Sequence, residues 1–153
     1  LLPFFLSTFP ARMQKLQKGK LKKILTNNFE LWVDGGHNSH ASKIIFDYLK
    51  KWKKEETFLI LGMVKGKPAT RFIKKFIPIC KSIFLVPVEG HVHIPQKIII
   101  KKFIKDKKKL ISKNTVEESL RHIETYNSNG KILVCGSLYL AGNVLKKNGN
   151  RIT

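Results

Sequence analysis

The sequence has few residues of several kinds, and each shortage excludes a class of protein. Its 153 residues include only two cysteines, Cys80 and Cys135, which lie far apart in separate apolar runs. They form neither a CxxC pair nor a zinc-ligand spacing, so we expect buried, reduced thiols. The apolar start, LLPFFLSTFP, is too short to span a bilayer and lacks both a basic region and a small-residue cleavage site. These shortages argue against a disulfide-stapled secreted domain, and we expect a cytoplasmic protein with no membrane partner.

Acidic residues are also scarce. The chain has thirty Lys and Arg residues but only ten Asp and Glu residues, which gives a formal net charge of +20. Such an excess can indicate a polyanionic partner. However, the lysines are spread along the whole chain among many Ile and Asn residues, as AT-rich codon usage would produce, and no nucleic-acid-binding fingerprint is present. We therefore do not expect nucleic acid to be the partner, but a basic nucleic-acid-binding module remains the last-ranked alternative.

Strand-like and helix-like segments alternate along the chain. Continuous apolar runs predict strands, whereas apolar residues at helical spacing predict the helices between them. The predicted strands are 30–33, 57–61, 82–88 and 131–135, and the predicted helices include apolar residues 41–52, 72–77, 116–123 and 138–145. The stretch 96–111 is ambiguous and favours a helix, and the residues before Glu30 predict a hairpin-like edge strand.

This alternation predicts an α/β fold whose single sheet is mainly parallel and is flanked by helices. With 153 residues, the chain is long enough for one domain and hardly for two. In such folds the chemistry collects at the carboxyl ends of the strands. Those ends are predicted at 34–38, at Gly62-Met63, in the loop after Val88, and at Gly136-Ser137.

The densest polar cluster is the segment DGGHNSH, residues 34–40, between a predicted strand and a predicted helix. Asn38 or Ser39 can cap the helix, whose free N–H groups favour an anion. Asp34 could accept a hydrogen bond from a ribose hydroxyl, and His37 could donate to a phosphate or move a proton. A polar turn with a capping Asn explains the same residues equally well. Because His37 and His40 straddle the helix start and need not share a face, we expect no metal site.

Two further segments come close to known functional motifs. Gly62-Met-Val-Lys-Gly66-Lys67-Pro68 resembles a phosphate-binding loop, but it has three residues between its glycines and a proline where the hydroxyl residue belongs. The chain therefore has no nucleotide triphosphate loop of its own. Ser137, at the start of the last predicted helix, could bind a carboxylate or, with more weight, simply cap the helix.

Four segments together resemble the C-terminal domain of folylpolyglutamate synthases and dihydrofolate synthases, within the Mur ligase superfamily. Phe9-Pro-Ala-Arg12-Met-Gln is similar to the family's W-P-G-R-x-Q, and Asp34-Gly-Gly-His37-Asn38-Ser-His-Ala to its D-G-A-H-N-P-H-A. Leu61-Gly-Met-Val-Lys-Gly-Lys67 resembles G-M-x-x-x-K-D, and Gly136-Ser137-Leu-Tyr-Leu matches G-S-L-Y-L. The resemblance runs from about residue 8 to residue 147, in the family's order.

The resemblance implies a Rossmann-like, three-layer domain of the Mur ligase C-terminal type over residues 10–153. Residues 1–9 would then be the remainder of an interdomain linker. The family uses ATP and magnesium to phosphorylate a carboxylate of folate or dihydropteroate, and the amine of glutamate then attacks the acyl phosphate. Its N-terminal domain, which binds the ATP phosphates and folate and supplies most of the magnesium ligands, is absent here and is the expected partner. The C-terminal domain rotates to close the site, so this chain alone should be inactive.

Residue roles also follow from the resemblance. Arg12 would contact the ATP phosphates, Asp34 would hold the ribose, and His37 and Asn38 would lie beside the reacting phosphate as catalytic residues. Ser137 would help to seat the incoming glutamate. Phe9, Ala11, Ser39 and Pro68 depart from the family pattern, so a folded but noncatalytic remnant of a ligase is the main alternative.

Overall fold

The computed structural model of the chain describes residues 12–26 and 28–150. The linker expected at residues 1–9, and residues 9–11 of the first motif, lie outside the described residues. Within the described part, no helix is long and apolar enough to cross a membrane.

In the part of the chain that the structure describes, six strands form one sheet: β1 (Gln14–Leu16), β2 (Phe29–Val33), β3 (Thr57–Leu61), β4 (Ser82–Leu85), β5 (Leu110–Ser112) and β6 (Gly130–Cys135). Their spatial order is β1-β2-β6-β3-β4-β5. Strands β2, β6, β3, β4 and β5 are all parallel to their neighbours, whereas β1 runs antiparallel to β2. The last of these six strands along the chain, β6, therefore lies between β2 and β3. This arrangement confirms the predicted α/β fold with a mainly parallel sheet and an antiparallel strand at its edge.

Five helices between residues 28 and 150 cover the two faces of the sheet: α1 (Ser39–Leu49), α2 (Ala69–Phe76), α3 (Gln96–Lys102), α4 (Val116–Glu124) and α5 (Leu138–Asn148). Successive strand residues point to opposite faces, so Leu31 and Val33 join one core while Trp32 packs against the other. The first core contains α4 and α5, and the second contains α1, α2 and α3. The domain is thus three layers thick.

The structure corrects the interpretation of residues 96–111 as a helix. Helix α3 ends at Lys102, a short 3-10 turn follows at Ile104–Asp106, and β5 begins at Leu110. The strand was missed because it has only three residues, of which only Leu110 is buried. Such a short segment has no recognisable alternation of apolar and polar residues.

Two smaller boundaries also differ from the prediction. The fourth strand ends at Leu85 rather than at Val88, before Pro87, which has no N–H group to continue the ladder. Helix α4 ends at Glu124, and β6 begins at Gly130, one residue before the predicted start at 131. Thr115 caps α4, because its Oγ1 accepts the Glu118 N–H at 3.1 Å. The Glu118 carboxylate in turn accepts a hydrogen bond from the N–H of Asn114.

Candidate functional site

The loops that follow four strands meet at one edge of the sheet. The Asp34 N–H donates to the Val134 carbonyl, and the Gly62 N–H donates to the Cys135 carbonyl, which joins the ends of β2, β6 and β3. The loop after β3 pairs with the loop after β4, since the Lys65 N–H donates to the Val92 carbonyl at 2.7 Å. All four predicted strand ends therefore contribute to one surface.

Asp34 lies at the centre of this edge and is only 8% exposed. Its Oδ1 accepts the Gly36 N–H at 2.7 Å, and its Oδ2 accepts the Met13 N–H at 2.8 Å. Burial raises the pKa of this carboxyl, while the two backbone N–H groups and the Arg12 charge act in the opposite direction. A carboxylate oxygen has two lone pairs, so each oxygen can still accept a second hydrogen bond.

Arg12 reaches the site because β1 is antiparallel to β2. Gln14 is paired with Val33, so the chain just before β1 lies beside Asp34 at the carboxyl end of β2. The side chain of Arg12 is exposed, and its charge partly offsets the rise that burial causes in the pKa of Asp34. The structure thus brings together Arg12 and Asp34, which are far apart in sequence.

His37 and Asn38 form the turn into α1. The His37 Nδ1 atom lies 3.3 Å from the Gly35 carbonyl, so the tautomer with a proton on Nδ1 leaves Nε2 free to accept a proton. Asn38 caps the helix, because its Oδ1 accepts the Ala41 N–H at 2.8 Å. Its side-chain amide hydrogens remain available as donors. The capping interpretation of Asn38 is therefore confirmed, and it is compatible with binding an anion.

Ser137 is the N-cap of α5 and is only 3% exposed. Its Oγ accepts the N–H groups of Tyr139 and Leu140, at 3.1 and 3.3 Å. This confirms the capping interpretation. The hydroxyl hydrogen can still be donated to a ligand oxygen.

The turn just before Ser137 is closely packed. Gly136 has a φ of +108°, and a Cβ atom there would lie 2.7 Å from the Gly62 carbonyl oxygen. Only glycine allows the loops after β3 and β6 to approach this closely. The loop 62–67 itself leads into α2, where Pro68 is the N-cap residue and provides no side-chain cap.

Sequence reasoning missed two features of this edge. The first is the backbone N–H of Met13, whose role depends on no side chain and therefore leaves no motif. The second is a stacked pair, since the His91 and Tyr139 rings have centroids 3.9 Å apart and an interplanar angle of 23°. Tyr139 is 57% exposed, so this pair lies on the surface formed by the loops. A histidine and a tyrosine this distant in sequence give no pattern that would pair them.

Among residues 12–26 and 28–150, no group of three or more His, Cys, Asp and Glu side chains could hold a metal ion. Both cysteines are free and buried, as expected. Burial raises the pKa of Cys80 to about 12 and that of Cys135 well above its ordinary value. Neither thiol has the character of a nucleophile. The site therefore contains an exposed guanidinium, amide and hydroxyl donors and an imidazole. All of these groups can donate hydrogen bonds to anionic oxygens.

Comparison with known proteins agrees with this fold. Residues 17–147 match the family described as dihydrofolate synthetase, C-terminal domain. The dihydrofolate synthetase of Saccharomyces cerevisiae is 24% identical over 156 residues, which cover 94% of this chain and 36% of that protein. The chain therefore spans little more than a third of the length of this relative.

Two solved structures show the same fold. The folylpolyglutamate synthase of Thermotoga maritima superposes with a TM-score of 0.69 at 19% identity, covering 94% of this chain and 32% of that one. The Mycobacterium tuberculosis folylpolyglutamate synthase complexed with ADP gives a TM-score of 0.76 at 11% identity, covering 95% of this chain and 34% of that one. Since the family match takes in most of the sequence, the chain belongs to the family of dihydrofolate synthetase C-terminal domains.

Proposed function

We propose that this chain is the closing domain of an ATP-dependent carboxylate–amine ligase. The reaction joins L-glutamate to dihydropteroate or a folate through an acyl phosphate. The observation that carries the proposal is the meeting of Arg12, the 34–38 loop and the Ser137 turn at one edge of the sheet. These are the segments that resemble the family's motifs, and the sheet order alone brings them together.

Each residue has a proposed role that matches its chemistry. Arg12 supplies positive charge to the phosphates of ATP, and Asp34 accepts from the ribose hydroxyls. His37 and Asn38 lie beside the reacting phosphate, with His37 holding or moving a proton. The Ser137 hydroxyl donates to the carboxylate of the incoming glutamate. The family match supports dihydropteroate as the substrate that accepts glutamate.

The partner in this proposal is an N-terminal domain that binds the ATP phosphates and the folate and supplies most of the magnesium ligands. The yeast relative is long enough to contain such a domain, because this chain matches only 36% of it. In the described residues, the loop 62–67 leads into a helix whose N-cap residue is Pro68, and a proline has no hydroxyl to offer a magnesium ion. The catalytic unit therefore requires both parts.

The test is a chimera in which this chain replaces the C-terminal domain of the yeast dihydrofolate synthetase. We expect ATP-dependent addition of glutamate to dihydropteroate. His37→Ala should lower kcat by roughly 100-fold, because acid–base assistance is removed. His40→Ala is the matched control, since His40 is exposed in the first turn of α1, and it should change kcat by less than about 2-fold.

An inactive chimera that is folded and binds its substrates would contradict the proposal and favour the noncatalytic remnant. A chimera that is active but equally sensitive to His37→Ala and His40→Ala would remove the role of His37. Measuring the isolated chain in parallel separates a closing domain from a complete enzyme, because the isolated chain should show no turnover.

A further inference from the structure

Met13 adopts an unusual backbone conformation next to the site. Among the described residues, two non-glycine residues have a positive φ, namely Met13 at +41° and Asn127 at +49°. Asparagine adopts this left-handed region comparatively often, whereas methionine has no side-chain group that favours it. Such a conformation persists only where the surroundings hold it, and it often marks a functional position.

Interactions on both sides of Met13 along the chain fix its backbone conformation. Its N–H donates to Asp34 Oδ2 at 2.8 Å, and β1 begins at the next residue, Gln14, which pairs with Val33. The Met13 side chain packs against the core that contains α1 and α2. The carboxylate itself is fixed, because its other oxygen accepts the Gly36 N–H at 2.7 Å. Asp34 is therefore a rigid anchor for the backbone at residue 13.

We propose that Asp34 is the positioning residue for Arg12, because its hold on the Met13 N–H keeps the left-handed turn that directs Arg12 onto the 34–38 loop. The proposal deepens, and rests on, the proposed ligase function. Arg12 is exposed, so its direction depends on the backbone that carries it. The guanidinium charge already acts on the Asp34 carboxylate in this arrangement.

This role differs from direct ribose binding and makes a different prediction. A residue that binds the ribose affects only nucleotides that carry the hydroxyl it contacts. A residue that positions Arg12 affects every nucleotide that has the phosphates. The lone pairs of Asp34 allow both roles, so the experiment must measure them separately.

The first experiment is a double-mutant cycle in the active chimera, measured as kcat/KM with ATP and with 2′-deoxy-ATP. Asp34→Asn loses one acceptor oxygen, and we expect a loss of roughly 10–100-fold with ATP, most of which remains with 2′-deoxy-ATP because the positioning of Arg12 does not depend on the ribose hydroxyl. The double variant with Arg12→Ala should be no worse than Arg12→Ala alone, because both changes remove the same interaction. A loss confined to ATP, or losses that multiply, would overturn the proposal.

The second experiment uses Met13→Gly, which adopts the left-handed conformation without a steric cost. In the Asp34→Asn background we expect Met13→Gly to recover roughly 3–10-fold of the activity, because the turn no longer needs the carboxylate. In the Arg12→Ala background it should recover nothing. Equal effects in the two backgrounds would contradict a role of the turn in directing Arg12.

A third measurement needs no catalysis and therefore separates this proposal from the ligase function. Amide hydrogen exchange, followed by NMR in the 153-residue chain, should show a protected Met13 N–H. Asp34→Asn should speed exchange at Met13 by at least about 10-fold and leave the β6 amides of Ile132 and Val134 unchanged. Unchanged protection at Met13 would overturn the anchor even if the chimera is active, and loss of protection would support it even if the chimera is inactive.

Discussion

At the scale of single residues, Gly136 is the position where a side chain would do most damage to the site. A Cβ atom there would lie 2.6 Å from Leu61 Cδ1 and 2.7 Å from the Gly62 carbonyl oxygen, and the φ of +108° disfavours any other residue. We expect Gly136→Ala to lower the free energy of unfolding by about 2–5 kcal/mol, from overpacking and backbone strain together. Urea unfolding followed by circular dichroism measures the change.

Gly142 is the matched control for this substitution. It lies on the following helix, α5, and a Cβ atom at Gly142 would meet no atom within 4 Å. Gly142→Ala should raise the free energy of unfolding by roughly 0.5–1 kcal/mol, because alanine favours the helix. If the two variants are equally stable, the close approach of the loops after β3 and β6 is not what requires a glycine.

The buried thiols predict a specific loss of stability at high pH. In the unfolded chain Cys80 ionises near its ordinary pKa of 9.0, whereas burial raises the pKa of the folded thiol to about 12. The folded state therefore keeps its proton while the unfolded state loses it, and stability falls as the pH rises from 9 towards 12. The loss attributable to Cys80 should reach about 2–3 kcal/mol near pH 11.

Comparison with Cys80→Ala isolates this effect from the titration of the lysines. The difference in unfolding free energy between the native protein and the variant should be constant below pH 8 and shrink above pH 9. A constant difference up to pH 11 would mean that the Cys80 thiol ionises as readily in the folded protein as in the unfolded chain.

At the scale of elements, two helix caps provide a matched pair. Ser137 caps α5 at the site, and Thr115 caps α4 with the same kind of bond from a side-chain oxygen to a backbone N–H. Replacing either by alanine should lower stability by about 1 kcal/mol. In the ligase chimera, Ser137→Ala should also raise the KM for glutamate, whereas Thr115→Ala should not. Equal kinetics in the two variants would leave Ser137 with the capping role alone.

The elements also show how far the sequence alone predicts this protein. Continuous apolar runs marked β3 and β6 because both strands are buried between helices and need no alternation. Strand β5 escaped prediction, since three residues at the sheet edge cannot carry a pattern. At the candidate site, the positions of Asp34, His37 and Ser137 were predictable, because these residues lie where a strand ends and a helix follows. Their neighbour Met13 was not, because its contribution is a backbone N–H.

At the scale of the whole molecule, the excess of positive charge should make stability depend on salt. The net charge is +20, and the ion pairs recorded among the described residues are largely exposed, such as Lys50 with Asp47. Like charges repel more strongly in the compact state than in the unfolded chain, and salt screens that repulsion. We expect the free energy of unfolding in urea to rise by roughly 1–2 kcal/mol between about 0.02 M and 0.5 M NaCl.

Sodium sulfate at equal ionic strength is a useful comparison, because it strengthens hydrophobic burial in addition to screening. Stabilisation by sodium chloride would identify screening as the cause. A decrease in stability with sodium chloride would instead show that the exposed ion pairs outweigh the repulsion among the lysines.

The position of β6 has a consequence for the order in which the protein assembles. Strands β2 and β3 are neighbours in sequence, but each pairs with β6, which is made after both of them. During synthesis, the edges of β2 and β3 that pair with β6 stay unpaired until residues 130–135 leave the ribosome and insert between them. Strand pairs that are far apart in sequence form slowly, and strands with unpaired edges can aggregate in the meantime. The surface that carries Asp34 and Ser137 is therefore among the last parts of the domain to form.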